Sequence, residues 1–109
     1  MFTIDKDTSA IKIIAKDSGD FVLTLDNYLL AAGDKVIFTV NDGIEKENPL
    51  LQKQITEFVD GSAVILLSSK ETDLPIGSYY YDIQVNTADG RVDTVIGPAK
   101  FKVIGGVTY

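Results

Sequence analysis

Carboxylates are the most numerous groups able to do chemistry in this 109-residue chain, with 16 Asp and Glu against 10 Lys and Arg, while Cys and His are both absent. Without imidazole there is no common general base and nothing to activate a serine. Without thiol there is no thiolate nucleophile, no disulfide and no Cys/His zinc site. What remains is oxygen chemistry, meaning a hard cation held by carboxylates or a pair of carboxylates trading a proton. Asp5, Asp7 and Ser9 open like a calcium loop. The glycine and closing Glu of such a loop are missing, since Ala10 and then Ile14 to Lys16 occupy that stretch, so a solvated turn is expected there. Asp82 and Asp93 fall on neighbouring expected strands, as glycosidase carboxylates can, but both occupy outward polar positions where such charges are plain surface. No Gly-rich loop leads from a strand into a helix to cradle phosphate. The residues therefore predict no catalytic, cofactor-binding or metal constellation, and no enzymatic activity.

The run Tyr79, Tyr80, Tyr81 could stack on sugar rings, yet Tyr79 and Tyr81 share a face with Ile83 and belong to the core. Tyr80 points the other way, as does Ile37, and these two are the candidate interface residues. One of the two apolar faces between Ala63 and Leu67 must also look away from a simple two-layer core. Exposed apolar surface of this kind hints at a protein interface, unless an adjacent loop or the amino-terminal segment covers it.

The elements that would position these residues read as strands. Apolar residues alternate with period two in short segments separated by Gly, Asp, Asn and Pro, and almost nothing has helical spacing. Ile11, Ile13 and Ala15 precede Phe21, Leu23 and Leu25, with Asp17, Ser18 and Gly19 between them. A three-residue hairpin loop with Gly19 at positive φ would pair Ala15 with Phe21, Ile13 with Leu23 and Ile11 with Leu25. Val36, Phe38 and Val40 form a further strand. The segment 50–59 fits neither period and is read as an irregular edge strand rather than a helical turn.

Near the carboxyl end, Tyr79, Tyr81, Ile83 and Val85 face inward, followed by Val92, Thr94 and Ile96. Asp89-Gly90 as a type I′ turn would match Val85 to Thr94 and Ile83 to Ile96. The inward parity then changes across Gly97-Pro98, from Ile96 to Phe101 and Val103, with Lys100 and Lys102 outward. An odd shift of this kind predicts a bulge or a switch between sheets. Six or more short strands without helices between them predict one antiparallel β-sandwich spanning residues 1–109.

Apolar residues make up 45% of the chain and charged residues 24%, a globular composition that should fold by itself. The net charge is −6, with the basic residues scattered singly. Nucleic acid and anionic membrane surfaces, which need clustered positive charge, are therefore excluded as expected partners. No apolar run reaches signal-peptide or membrane-span length, so a cytoplasmic chain or one assembled inside a cell is expected.

From Glu71 the chain runs Thr72, Asp73, Leu74, Pro75, Ile76, Gly77, Ser78, Tyr79, Tyr80, Tyr81, Asp82, Ile83. This resembles the D-T-x-L-x-x-G-x-Y-x-Y-D-I pattern of immunoglobulin-like domains in phage and prophage tail modules of Gram-positive bacteria, akin to the amino-terminal domain of upper-baseplate proteins. Glu71 replaces the opening Asp. Asp89-Gly90, Thr94-Val95-Ile96 and Gly106-Val107-Thr108-Tyr109 also look similar, so the likeness covers roughly the last half of the chain. The resemblance implies an immunoglobulin-like antiparallel sandwich of about seven to eight strands. It further implies a structural or adaptor module found in the virion, or in the bacterial cytoplasm before assembly, with a second copy or other tail proteins as partners and no catalytic residues. Those proteins usually continue into further domains beyond the sandwich. Independently of any family, a buried Tyr hydroxyl after the Gly77 corner needs a backbone partner. The alternative reading is a carbohydrate-binding or adhesion-type sandwich of a bacterial envelope protein, which requires a concave site lined by an exposed aromatic.

Overall fold

A computed structural model describes residues 2–4, 10–25, 28–43 and 49–106. Alternation of apolar and polar residues produces eight strands: β1 (Phe2–Ile4), β2 (Ile11–Ile14), β3 (Gly19–Leu23), β4 (Lys35–Asn41), β5 (Leu51–Ile55), β6 (Ala63–Leu67), β7 (Gly77–Asn86) and β8 (Val92–Ile104). The fold is all-β, with no helix among the described residues and hence none long and apolar enough to cross a membrane. Six strands form one sheet in the order β1-β2-β8-β7-β4-β5, a curled half-barrel, and β3 pairs with β6 in a second sheet. Only β2 and β8 run parallel; the other pairs are antiparallel.

The inward faces of both sheets contribute to one core. Val36, Phe38 and Val40 are fully buried, as are Ile13, Phe101 and Val103, and Phe21, Leu23, Ala63, Ile65 and Leu67 come from the smaller sheet. Phe38 sits at the centre. Its ring lies 5.5 Å edge-on from Phe21 of the smaller sheet, 5.6 Å from Tyr81 and 6.1 Å from Phe101. Aromatic contacts at such angles add directional attraction to the burial of large apolar area. Burial pushes the Tyr81 hydroxyl up to about 12.

Three expectations need correction or refinement. The β2–β3 hairpin does not form. Both edges of β2 are occupied, by β1 and by β8, and β3 pairs with β6, from Gly19 opposite Leu67 to Leu23 opposite Ala63. The inward parity was read correctly, because Ile11, Ile13, Phe21 and Leu23 are all buried, but they belong to different sheets. The chain turns between sheets at Lys16, whose φ of 71° is left-handed, and Gly19 is not in that region. Thr72, fully buried, holds this corner: its hydroxyl donates to the Asp17 carbonyl at 2.6 Å and its carbonyl accepts from the Lys16 amide at 3.3 Å.

The β7–β8 hairpin forms, with a different tip. The Thr87 amide donates to the Arg91 carbonyl at 2.8 Å and the Gly90 amide to the Thr87 carbonyl at 3.0 Å, enclosing Ala88, Asp89 and Gly90. Gly90 has φ +97° while Asp89 is not at positive φ, so the loop is the three-residue kind and not type I′. Val85 consequently faces Asp93, not Thr94, and Val92 is exposed. One extra residue on β8 then restores Ile83 opposite Ile96, as expected.

A second extra residue on β8 lies at Gly97-Pro98, between the Ile83–Ile96 and Tyr81–Ala99 pairs. The parity change is thus a bulge, and β8 stays in one sheet. Gly97 has φ +123°, and a Cβ there would lie 2.8 Å from the Asp82 Cα, so only glycine fits. Segment 50–59 resolves as the edge strand β5 followed by irregular chain carrying a Val59–Ser62 bridge. Beyond β6, the Tyr79 hydroxyl donates to the Pro75 carbonyl, which is the backbone partner its burial demanded.

Candidate functional site

Two faces of the molecule present side chains outward in a way that could bind something. The first is the outer face of the six-stranded sheet. On β4 and β7, antiparallel pairing sets Asn41 opposite Tyr80, Thr39 opposite Asp82 and Ile37 opposite Gln84, while β5 adds Gln52 opposite Thr39. Ile37 and Tyr80 therefore share this face, as the sequence predicted, with the Thr39–Asp82 pair between them. Both are half-buried, because they line a groove of about 290 Å³ together with Thr39, Gln52, Asp82 and Gln84. Gln52 Nε2 donates to Thr39 Oγ1 at 3.1 Å, which fixes part of the lining. Desolvation in this position raises the Asp82 carboxyl above its ordinary value. The groove is open and mixed in character, with the Pro98 ring at the adjoining bulge.

The second is the outer face of the β3–β6 sheet. Val22 stands directly opposite Val64, and Leu66 opposite Asp20. Val22 is 59% exposed and Leu66 58%. Each strand of this sheet has one edge that enters no ladder among the described residues. Leu66 belongs to the run whose doubled apolar pattern predicted an outward apolar face. Its coupling to Val22 was not legible, because it depends on β3 choosing β6 over β2. Beside this sheet Lys53 of β5 meets Glu71 at 3.0 Å, close to the end of β6. Partial burial pushes the Glu71 carboxyl up, but the Ser68 amide and the Lys53 ammonium more than offset this and hold it below its ordinary value.

The carboxylates do not combine. Asp93 faces Val85 on the inner side of the sheet, is exposed and bonds Arg91 at 3.1 Å, whereas Asp82 stands on the outer side. Asp5, Asp7 and Ser9 lie outside the described residues, among which no group of three or more His, Cys, Asp or Glu is placed to hold a metal ion. Tyr79 and Tyr81 are buried at 7% and 3% exposure, whereas Tyr80 is half-buried on the outer face and lines the groove there. Of the residues that carry the resemblance, Thr72, Leu74, Gly77, Tyr79, Tyr81 and Ile83 are placed in the corner between β6 and β7 and in the core, while Asp82 stands on the outer face. No protein-family model matches the chain, and no curated protein matches it.

Proposed function

We propose that this chain is a non-enzymatic structural and protein-interaction module, an immunoglobulin-like β-sandwich serving as a phage or prophage tail or baseplate component. The observation that carries the interaction reading is the outer face of the β3–β6 sheet, where Val22, Val64 and Leu66 offer apolar surface. Exposed apolar area is a cost a protein normally suppresses unless a partner covers it. The partner assigned to this face is a second copy. In a chain of net charge −6, the face bears a single carboxylate, Asp20, so two copies meet there with little repulsion. Packing of this face against the same face of a second copy would create the self-complementary two-fold contact most common among homo-oligomers. The tail assignment rests on the Glu71–Ile83 motif and on the Tyr79 hydroxyl bonded back to Pro75, the device called a tyrosine corner in immunoglobulin-like sandwiches.

Sedimentation velocity over a concentration series is the test. Reversible association is expected for the natural chain and its loss in the Val22→Lys, Leu66→Lys double variant. A chain that stays monomeric at every concentration overturns self-assembly. Genes for tail, tape-measure or lysis proteins are expected beside the coding sequence, and their absence overturns the tail assignment.

A further inference from the structure

We infer that the groove on the outer face of the six-stranded sheet is a binding site for a short neutral saccharide. The chemistry of its lining leads there. Gln52, Gln84 and Thr39 carry groups that both donate and accept hydrogen bonds, as sugar hydroxyls do. Ile37, Pro98 and the half-buried Tyr80 supply the apolar and aromatic surface on which the C–H face of a pyranose ring rests. Among the described residues no Lys or Arg lines the groove, which favours a neutral hydroxyl-rich ligand over a phosphate or an acidic sugar. Asp82, the one carboxylate among the described lining residues, is a strong acceptor for a hydroxyl pair.

The lining is also held in place, as a weak-binding polar site requires. The side chains named stand on four paired strands, β5, β4, β7 and β8, and Gln52 is bonded to Thr39. The bulge at Gly97-Pro98 packs Gly97 against the Asp82 backbone, and bulges recur beside functional sites, where they re-aim a side chain. At about 290 Å³ the groove sits at the small end of ligand sites, which run to about 300–1,000 Å³, so the ligand is a mono- or disaccharide unit, free or within a longer glycan. This face is opposite in character to the apolar β3–β6 face, so the inference stands or falls separately from self-association.

The test is an amide chemical-shift titration of the isotope-labelled chain with maltose, cellobiose, lactose, mannobiose and N,N′-diacetylchitobiose at millimolar concentrations. Saturable shifts confined to residues around Ile37, Thr39, Gln52, Tyr80, Asp82 and Gln84 are expected with at least one of these sugars. Tyr80→Ala should weaken that binding about tenfold, a loss of about 1.4 kcal/mol, and Leu66→Lys should leave it unchanged. Gln52→Ala, at an exposed edge-strand position, provides a second variant if Tyr80→Ala unfolds. The inference is overturned if no sugar produces saturable shifts, or if both groove variants bind as the natural chain does. Groove shifts that respond to protein concentration alone would overturn it too, and would give this face to a second copy.

Discussion

Thr72 illustrates how a single hydroxyl can organise a fold that has no cysteine with which to form a disulfide. Its side chain is wholly buried, and its hydrogen bond to the Asp17 carbonyl joins two loops far apart in sequence. Thr72→Val keeps the shape but leaves that carbonyl without its donor, so a loss of about 1–3 kcal/mol in urea unfolding is expected, with Thr72→Ser retaining more stability than Thr72→Val. Asp34 does the same work with a charge. It is 3% exposed and accepts from the Ala31 amide at 3.0 Å, the Ala88 amide at 2.9 Å and the Tyr28 hydroxyl at 2.8 Å. The Ala31 amide first, then that of Ala88, hold its carboxyl below the ordinary value of 3.8, against the opposing effect of desolvation. A depressed folded-state value means the stabilisation is fully present above the ordinary value and is lost as pH falls through the lowered one. Unfolding measured across that acidic window should show an acid-dependent loss of stability that Asp34→Asn reduces without abolishing, since Glu71 and Asp89 are also held low, at the cost of lower stability at neutral pH. These residues were legible as types, not as partners. Thr72 belonged to a recognised pattern, but its bond to Asp17 depends on where the β2–β3 corner lands.

At the level of elements, the long β7–β8 ladder is where local and tertiary forces meet. The alternation in β7 fixes which residues point inward, and Gly97-Pro98 announces a bulge because parity changes there. The tip register is set otherwise. Ala88 is tied to Asp34, which precedes β4 at the same end of the neighbouring strand, and Thr87 accepts from the Arg91 amide at 3.1 Å and bonds Asp89, so the loop takes three residues and β8 absorbs the difference with an extra residue. Gly97→Ala forces both a left-handed conformation and a collision with the Asp82 backbone, and a loss of about 1–3 kcal/mol is expected in the same unfolding assay. A Gly90→Ala change meets no neighbouring atom and should carry only the conformational part, a smaller loss of about 1 kcal/mol. Equal losses at the two sites would show that Gly97 is not needed for close approach.

For the whole molecule, the net charge of −6 and the near-neutral β3–β6 face act in opposite directions on association. Copies repel at long range and attract only at contact. Raising the salt concentration at constant pH shortens the Debye length, so the self-association proposed for this face should strengthen with salt, as read by sedimentation equilibrium. An ion-paired interface would respond with the opposite sign.

The sequence by itself determined what this protein lacks and which way its side chains face. Without Cys and His, whole classes of chemistry are unavailable whatever the fold. The inward sets Ile11 and Ile13, Phe21 and Leu23, Val36, Phe38 and Val40, and Phe101 and Val103 follow from alternation, because a strand's two faces are a local property of the backbone. Tertiary structure decided which strand pairs with which. A ladder is built from backbone groups that every residue carries, so β2 could accept β3 as readily as β8 by local criteria. Closure of one core around Phe38, with the β2–β3 corner tied to Thr72, sent β2 to one sheet and β3 to the other. That choice is also what brought Val22 and Leu66 to one outward face, so the surface proposed for self-association exists only at the level of the folded chain.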